Sequence, residues 1–535
     1  MPESREPSPA TPTTPMMLPS RSVALILVTL AFTLLPTRAS ADVKLPPVLS
    51  SHMVLQRETA VPVWGTAAVG EKITVKFRDQ EKSVTADKDG KWSVKLDALK
   101  AGGPDTLTVA GKNTVTLEDV LVGEVWVGSG QSNMEGTVGG YGKGDEVLAK
   151  LAAGSYPKIR LSKSGRQWQE TNEKTVNNHS AILFAFGVRL QKELDVPVGL
   201  MVGAVGGTPS GYWLSESAYR SDDACKTVAK KFAATFDFEK AKADHADKLV
   251  AWEKAAEQAK KDGKNPPGKP QAPVAAGESA GKIGNLYEAH VRPMQPFAIR
   301  GVLWDQGESG TAINGVDQFT LMGALIKGWR AEWAQGDFPF ISIQKPSGGG
   351  CAWDSSDPVT SQGEKFAPLP KTVPSTADGL YRELHIRIMN HPKTFMAISS
   401  DLGPGIHPTN KSGYGTRAAQ VALGAVYAQK VEIYGPVYKA HKVEGDKVSV
   451  TFDHVGKGLA FRHGDKLQGF ALAGADGKFQ WADAVIDGDS VMLSSPSVPK
   501  PVAVRYAFAS NHRWANLFNK DGLPAVPFRS DPDGK

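Results

Sequence analysis

From Asp42 to about Thr116, hydrophobic and polar residues alternate in short runs such as Ala60-Val61-Pro62-Val63-Trp64-Gly65 and Lys72-Ile73-Thr74-Val75-Lys76-Phe77, separated by turn signals like Asp89-Gly90. Alternation with period two marks strands that bury one face, so this segment predicts a small all-β domain. The same pattern returns from about Gly435 to the end of the chain, in Lys447-Val448-Ser449-Val450-Thr451-Phe452 and Val502-Ala503-Val504-Arg505-Tyr506-Ala507-Phe508. Between them the pattern changes. Apolar runs at Val120–Val127, Val196–Val205, Ile299–Trp304, Phe338–Ile343 and Thr394–Ser400 are separated by stretches of helical period, among them Ser180–Leu194 and Thr416–Gln429. Continuous apolar strands alternating with helices predict a parallel sheet covered on both faces. The expected fold class is therefore α/β: a parallel sheet over residues 117–434, flanked by small all-β domains at 42–116 and 435–535.

One stretch interrupts the sheet pattern. Asp222–Asp262 is rich in Ala, Lys and Glu of mixed charge and closes on Asn265-Pro266-Pro267-Gly268-Lys269-Pro270. It predicts an exposed helical insertion, spanning about residues 218–282, whose charges form a solvated face. At the other extreme, Arg21 precedes an apolar run from Val23 to Pro36, and Ala39-Ser40-Ala41 follows. A basic residue, a short apolar run and small residues are the parts of a secretory signal, and the run is too short to span a membrane. Residues 1–41 are thus expected to be a cleaved signal and the protein to be secreted or periplasmic, with no membrane span.

Composition narrows the classes without naming one. With 41% hydrophobic residues the chain of 535 has ample apolar content for a core, and 55 Gly with 36 Pro follow no collagen period. The net charge of +6 is spread along the sequence, so no nucleic-acid footprint stands out. Two cysteines, Cys225 and Cys351, either pair or stay buried thiols, and are too few for a structural zinc site.

In parallel sheets ligands gather beyond the carboxyl ends of the strands, so the residues just after the apolar runs are where chemistry is expected. Four places qualify. Trp126-Val127-Gly128-Ser129-Gly130-Gln131-Ser132-Asn133-Met134-Glu135 presents Ser132 at a turn, as a nucleophile or as a helix N-cap. Gly206-Gly207-Thr208-Pro209 offers backbone N–H groups without side-chain obstruction, as an oxyanion site requires, or a plain tight turn. Trp304-Asp305-Gln306-Gly307-Glu308-Ser309 brings Gln306, able to donate an amide hydrogen bond to a developing oxyanion, and Glu308, able to orient a neighbour or the substrate. Asp401-Leu402-Gly403-Pro404-Gly405-Ile406-His407-Pro408 supplies a carboxylate and an imidazole on the same edge.

Taken in order, Gly130-Gln131-Ser132-Asn133-Met134, Gly206-Gly207-Thr208-Pro209, Trp304-Asp305-Gln306-Gly307-Glu308-Ser309 and Ile406-His407-Pro408 resemble the sialate O-acetylesterase family of the SGNH hydrolase superfamily, similar to esterases that deacetylate sugars. The likeness extends to His52-Met53-Val54-Leu55-Gln56-Arg57 near the start and Pro527-Phe528-Arg529 near the end, so it covers essentially the whole mature chain. It implies an SGNH-type sheet, Ser132 as nucleophile, His407 as base, and the Ser132 and Gly207 amides with the Gln306 side chain as oxyanion donors. It implies an acetylated carbohydrate as substrate and no metal or cofactor. The position three before the histidine, commonly acidic in the superfamily, is Pro404 here, and Asp305 replaces an expected aromatic. The acid is therefore placed at Asp401, at the end of the Thr394–Ser400 run, with Asp305, Glu308 or no acid at all as alternatives. The competing functions are an acetyl-xylan or other polysaccharide acetylesterase and, from another class, a non-catalytic glycan-binding protein.

Overall fold

The computed structural model describes residues 42–344 and 349–531; the expected signal at 1–41 lies outside the described residues. The strand Thr114–Gly130 (β1) carries both sequence patterns in one stretch of 17 residues. Its first half alternates and pairs antiparallel with Gly102–Ala110, whereas its last eleven residues are all buried and the final stretch from Trp126 pairs in parallel on both sides. The boundary expected at residue 116 thus falls inside one continuous strand. Val54–Gln56 also adds in parallel at Leu121–Gly123, so the N-terminal β region is joined to the central sheet by shared hydrogen bonds.

Beyond β1 the sheet is built from Ile159–Lys163 (β2), Val198–Ala204 (β3), Gly301–Asp305 (β4), Phe340–Ile343 (β5) and Thr394–Ala397 (β6). Their order is β6-β5-β4-β1-β3-β2, all parallel. The chain first builds to one side of β1 and then crosses to the other, which puts the topological switch, and so the ligand crevice, at the end of β1. The strand β2 went unpredicted because Arg160 and Ser162 break its apolar run, although both are buried.

Both faces of this sheet are covered, as continuous apolar strands demand. Residues alternate between two cores. Trp126, Leu200 and Leu303 enter one that contains helix Ala181–Leu194 and helix Lys411–Ala425; Val127, Met201, Val302 and Trp304 enter another with Trp329 and Trp333 of helix Gln318–Trp333. The second core runs on without a break into Val54, Val75 and Phe77 of the N-terminal β region. The strands between Val437 and Arg529 close over a core of their own that includes Phe470, Tyr506 and Trp514. The expected insertion contains helix Phe238–Lys261, which buries none of its residues; the proline-rich return runs back along it, held where the Trp252 indole donates to the Pro267 carbonyl at 2.7 Å. Cys225 and Cys351 are separate buried thiols, each pushed up to about 12 chiefly by burial. Among the described residues no helix is long and apolar enough to cross a membrane.

A buried carboxylate ties the elements together at the amino ends of the central strands. Glu124 of β1 is fully buried and accepts from Arg57 Nε at 2.5 Å, Arg300 Nε at 2.6 Å and Gln56 Nε2 at 3.1 Å. Burial alone would raise its pKa, but the hydrogen bonds from Arg300 and Arg57 outweigh that and hold it low. Removing one partner of such a cluster leaves charges uncompensated, so Glu124→Ala is expected to cost about 3–5 kcal/mol of folding stability. Because the folded-state pKa is depressed, that contribution is full above the ordinary carboxylate range and fades as pH falls through the folded value. Denaturant unfolding at neutral pH checks this, and a loss under about 1 kcal/mol, the scale of a surface pair, would show that the cluster is not a structural centre.

Candidate active site

The register of the central strands decides where the candidate residues meet. Gly130 stands opposite Ala204 on one side and Asp305 on the other, so β1, β3 and β4 end level and release their loops along one edge. Gly130 has φ +128°, and a Cβ there would lie 2.0 Å from the Asp305 carbonyl oxygen. Only glycine admits this approach. The Gln131 N–H donates to that same oxygen at 2.8 Å, and the chain then turns into a short helix, Ser132–Glu135. Ser132 is its first residue, not its N-cap, which is Gln131.

Glu135, at the end of that turn, accepts from the Gly206 N–H at 2.7 Å and so draws the loop after β3 against the serine. A Cβ on Gly206 would sit 2.8 Å from the Glu135 carboxylate and 3.5 Å from Ser132 Cβ; the absent side chain is what lets the backbone pass beside the hydroxyl. Gly207 follows with φ +69°, a left-handed conformation that favours glycine. Among the described residues, neither the Ser132 nor the Gly207 N–H donates to a protein acceptor.

From the far side of the sheet, the loop between β6 and helix Lys411–Ala425 brings His407 to the serine. Ser132 Oγ and His407 Nε2 are 2.8 Å apart, across 275 residues of chain. The histidine is exposed and the serine half-buried, so the pair faces solvent. Ser132, Gly207 and His407 therefore converge.

Asp401 does not join them. It is completely buried and forms a two-pronged ion pair with Arg417 of helix Lys411–Ala425, at 3.1 Å and 2.9 Å. The guanidinium fork matches a carboxylate edge far better than an imidazole does, and Arg417 also reaches the Ile398 carbonyl at 3.3 Å. The role expected for Asp401, orienting His407, is thus replaced by pinning the end of β6 to the helix. Among the described residues no carboxylate is hydrogen-bonded to His407.

Gln306 lies where expected, at the end of β4, but is turned to another use. Its Nε2 donates to the carbonyls of Thr208 at 3.4 Å and Gly310 at 3.2 Å, and its Oε1 accepts from Gln318 at 2.9 Å. With both amide hydrogens given to backbone, Gln306 braces the two loops instead of facing Ser132. Glu308 stands close enough to Asp305 for its charge to add to the effect of burial, which raises the Asp305 carboxyl well above the usual range.

Two residues at the site had no role assigned from the sequence. Asn133, next to the nucleophile candidate, donates from Nδ2 to the Ile406 carbonyl at 3.0 Å. Lys411, completely buried, donates to Asn133 Oδ1 and lies 4.4 Å from the centre of the Tyr141 ring. Burial lowers its ammonium to about 8, against the opposing pull of Asp305, Glu308 and Asp145. Asn133 belongs to a block already singled out, but nothing in sequence separates Lys411 from the other lysines. The only trio of metal-capable side chains among the described residues, His52, Asp119 and Glu170, sits toward the opposite end of the strands. There Arg160 donates to Asp119 at 2.8 Å and already supplies a cation, so the trio does not fit a metal.

Several proteins similar to this chain are named as esterases. Residues 122–236 match the family described as "Carbohydrate esterase, sialic acid-specific acetylesterase". The human sialate O-acetylesterase is 26% identical over 534 residues, covering 90% of this chain and 91% of its own. The rat enzyme of the same name is 26% identical over 575 residues, covering 96% and 98%. A crystal structure of a carbohydrate acetylesterase from Xanthomonas citri superposes with a TM-score of 0.69 at 28% identity, over 92% of this chain and 100% of that one. In sequence and fold the chain is similar nearly end to end to sialate O-acetylesterases and to a carbohydrate acetylesterase, and it is an esterase.

Proposed function

We propose that this protein is an exported serine esterase that removes O-acetyl groups from carbohydrates, with Ser132 as nucleophile and His407 as general base. The observation that carries the reading is the 2.8 Å contact between Ser132 Oγ and His407 Nε2 at the switch point of a parallel sheet, with Ser132 inside a segment, residues 122–236, matched to an acetylesterase family. A serine hydroxyl is a weak nucleophile until an adjacent base takes its proton, and an imidazole nitrogen at hydrogen-bond distance meets that need. In the first half-reaction Oγ attacks the acetyl carbonyl carbon while His407 Nε2 accepts the hydroxyl proton. The negative charge that develops on the carbonyl oxygen is received by the Ser132 and Gly207 N–H groups, two backbone donors beside the nucleophile. His407 then gives its proton to the departing sugar oxygen. In the second half-reaction it takes a proton from water as the water oxygen attacks the acetyl-serine carbonyl, then returns that proton to Ser132 Oγ as the Oγ–acyl bond breaks, releasing acetic acid that ionises to acetate.

No partner for the second ring nitrogen of His407 is needed for these steps, and a serine–histidine dyad is the form the side chains support. The names of the relatives favour acetylated sialic acid; the X. citri neighbour is called a carbohydrate acetylesterase without a named sugar. Acetate release from acetylated sialic acid, xylan and pectin in parallel separates the sialate reading from the polysaccharide one, and no release from any of them, nor from a generic acetyl ester, would refute the function. The apolar run and small residues before Asp42 support export, and the amino terminus of the mature protein recovered from its host tests it: a chain that still begins at Met1 would refute cleavage.

Ser132→Ala is expected to abolish acetate release with the melting temperature unchanged, because the hydroxyl makes one exposed contact and fills no core position; wild-type kcat in this variant would remove Ser132 from the chemistry. His407→Ala is expected to lower kcat by about 10²- to 10⁴-fold, the range of general acid–base catalysis, and full activity would point to another base. Asp401→Asn separates a structural acid from a catalytic one. As a buried partner of Arg417 it should cost about 3–5 kcal/mol of stability and leave kcat within an order of magnitude of the parent at temperatures where the variant is folded. A fall of about 10⁴-fold in kcat with stability intact, the signature of a lost triad acid, would reverse the assignment.

A further inference from the structure

The loop that carries His407 is tied to the rest of the protein by few hydrogen bonds. Among the described residues, the stretch Gly403–Pro408 makes two hydrogen bonds: His407 Nε2 with Ser132 Oγ, and the Ile406 carbonyl with Asn133 Nδ2. Gly403 and Gly405 have φ +128° and +78°, and residues Pro404 to His407 are exposed between the buried Gly403 and Pro408, so the imidazole has no packing of its own and no regular backbone pairing to fix it. The base is located by the peptide just before it, and that peptide is gripped by Asn133.

An asparagine amide can face either way, with Oδ1 and Nδ2 nearly equal in shape. Here only one orientation works, since Nδ2 must point at the Ile406 carbonyl. Lys411 Nζ, a donor with no acceptor capacity, stands on the other side of the amide and donates to Oδ1. It is completely buried between the rings of Tyr141 and Tyr414, at 4.4 Å and 5.8 Å from their centres. An ammonium there costs desolvation that an apolar residue of similar volume would not, so its use is to be sought in what it orients. From this geometry we infer that Lys411 is a positioning residue for the esterase reaction: it fixes the Asn133 amide so that Nδ2 clamps the Ile406 carbonyl and holds His407 within reach of Ser132. The inference rests on the reading of Ser132 and His407 as nucleophile and base.

The clamp acts on the geometry of the base and not on the sugar, so its loss should appear in kcat. Lys411→Met keeps the volume and removes the donor. Asn133→Asp keeps an acceptor for Lys411 but has no N–H for the Ile406 carbonyl. Each is expected to lower kcat for a generic acetyl ester by about 10²-fold, the scale of a misplacement of about 1 Å, with KM within about twofold of the parent. Since both break one linkage, the double variant should be no slower than the slower single. If Lys411→Met does not fold, Asn133→Asp, in which the buried ammonium stays compensated, carries the test alone. Wild-type kcat in either folded single variant, losses that multiply in the double, or a change confined to KM would overturn the clamp. Ser132→Ala measured alongside keeps the two readings apart. Activity surviving in that variant defeats the nucleophile assignment, whereas a dead Ser132→Ala beside a fully active Lys411→Met defeats only the clamp.

Discussion

The meeting of two backbones at Gly130 is the constraint on which the site depends. Where β1 ends, the Asp305 carbonyl of β4 comes so close that no side chain fits, and the Gln131 N–H reaches the same oxygen. This contact ends the strand at a defined height and starts the serine turn from a defined direction. A displaced start would carry Ser132 away from both the Gly206-Gly207 backbone and the imidazole. Because β1, β3 and β4 are in register there, three loops distant in sequence open at one level, and the chemistry inherits its alignment from the sheet. Sites carried on a rigid scaffold in this way hold loop residues to tolerances that loops alone do not reach.

Around that edge the buried polar groups divide into two kinds. Arg417 with Asp401, and Glu124 with its arginines, are compensated pairs that join elements at the two ends of the strands. The group of Lys411, Asp305 and Glu308 is different, for burial pushes the ammonium down and the Asp305 carboxyl up, so each ionised form is dear to maintain. Perturbed ionisable groups of this second kind collect at functional sites because orientation and charge there serve the reaction before they serve stability. Gln306 shows a related economy, since its side chain and Gln318 knit the loops after β3 and β4 into a single rim.

Much of this was readable in the sequence because hydrophobic period and strand ends carry real physical information. The continuous runs at Val120–Val127 and Ile299–Trp304 could only be strands buried on both faces, and the rule that ligands lie beyond their carboxyl ends selected Ser132, Gly207 and His407, which the fold brings together. What stayed hidden depended on long-range partners. The strand β2 was masked by Arg160, whose burial makes sense only once Asp119 is seen beside it. Asp401 was placed at the carboxyl end of the Thr394–Ser400 run, six residues before His407; Arg417 of helix Lys411–Ala425 holds it instead, through bidentate geometry. Lys411 reads in sequence as one more lysine opening a helix, and its burial is a property of the tertiary arrangement. The domain edge at residue 116 was blurred for a different reason: a change of burial pattern within one strand looks the same in sequence as a change of domain.

That shared strand, with Ser132 and His407 meeting across 275 residues of chain, also sets the order in which the molecule can come into being. β1 emerges early, but its neighbours β3 and β4 follow only after long intervening segments, and the helix that backs the His407 loop comes later still. Contacts of such long range form slowly, because each closes a large loop of chain before it returns any stabilising energy. During synthesis, then, the amino-terminal strands and the first half of β1 can pair while the apolar half of β1 waits for partners, a period in which it is open to wrong association. Ser132 can meet His407 only after every strand of the central sheet has been made, so their contact doubles as a report that the sheet has closed.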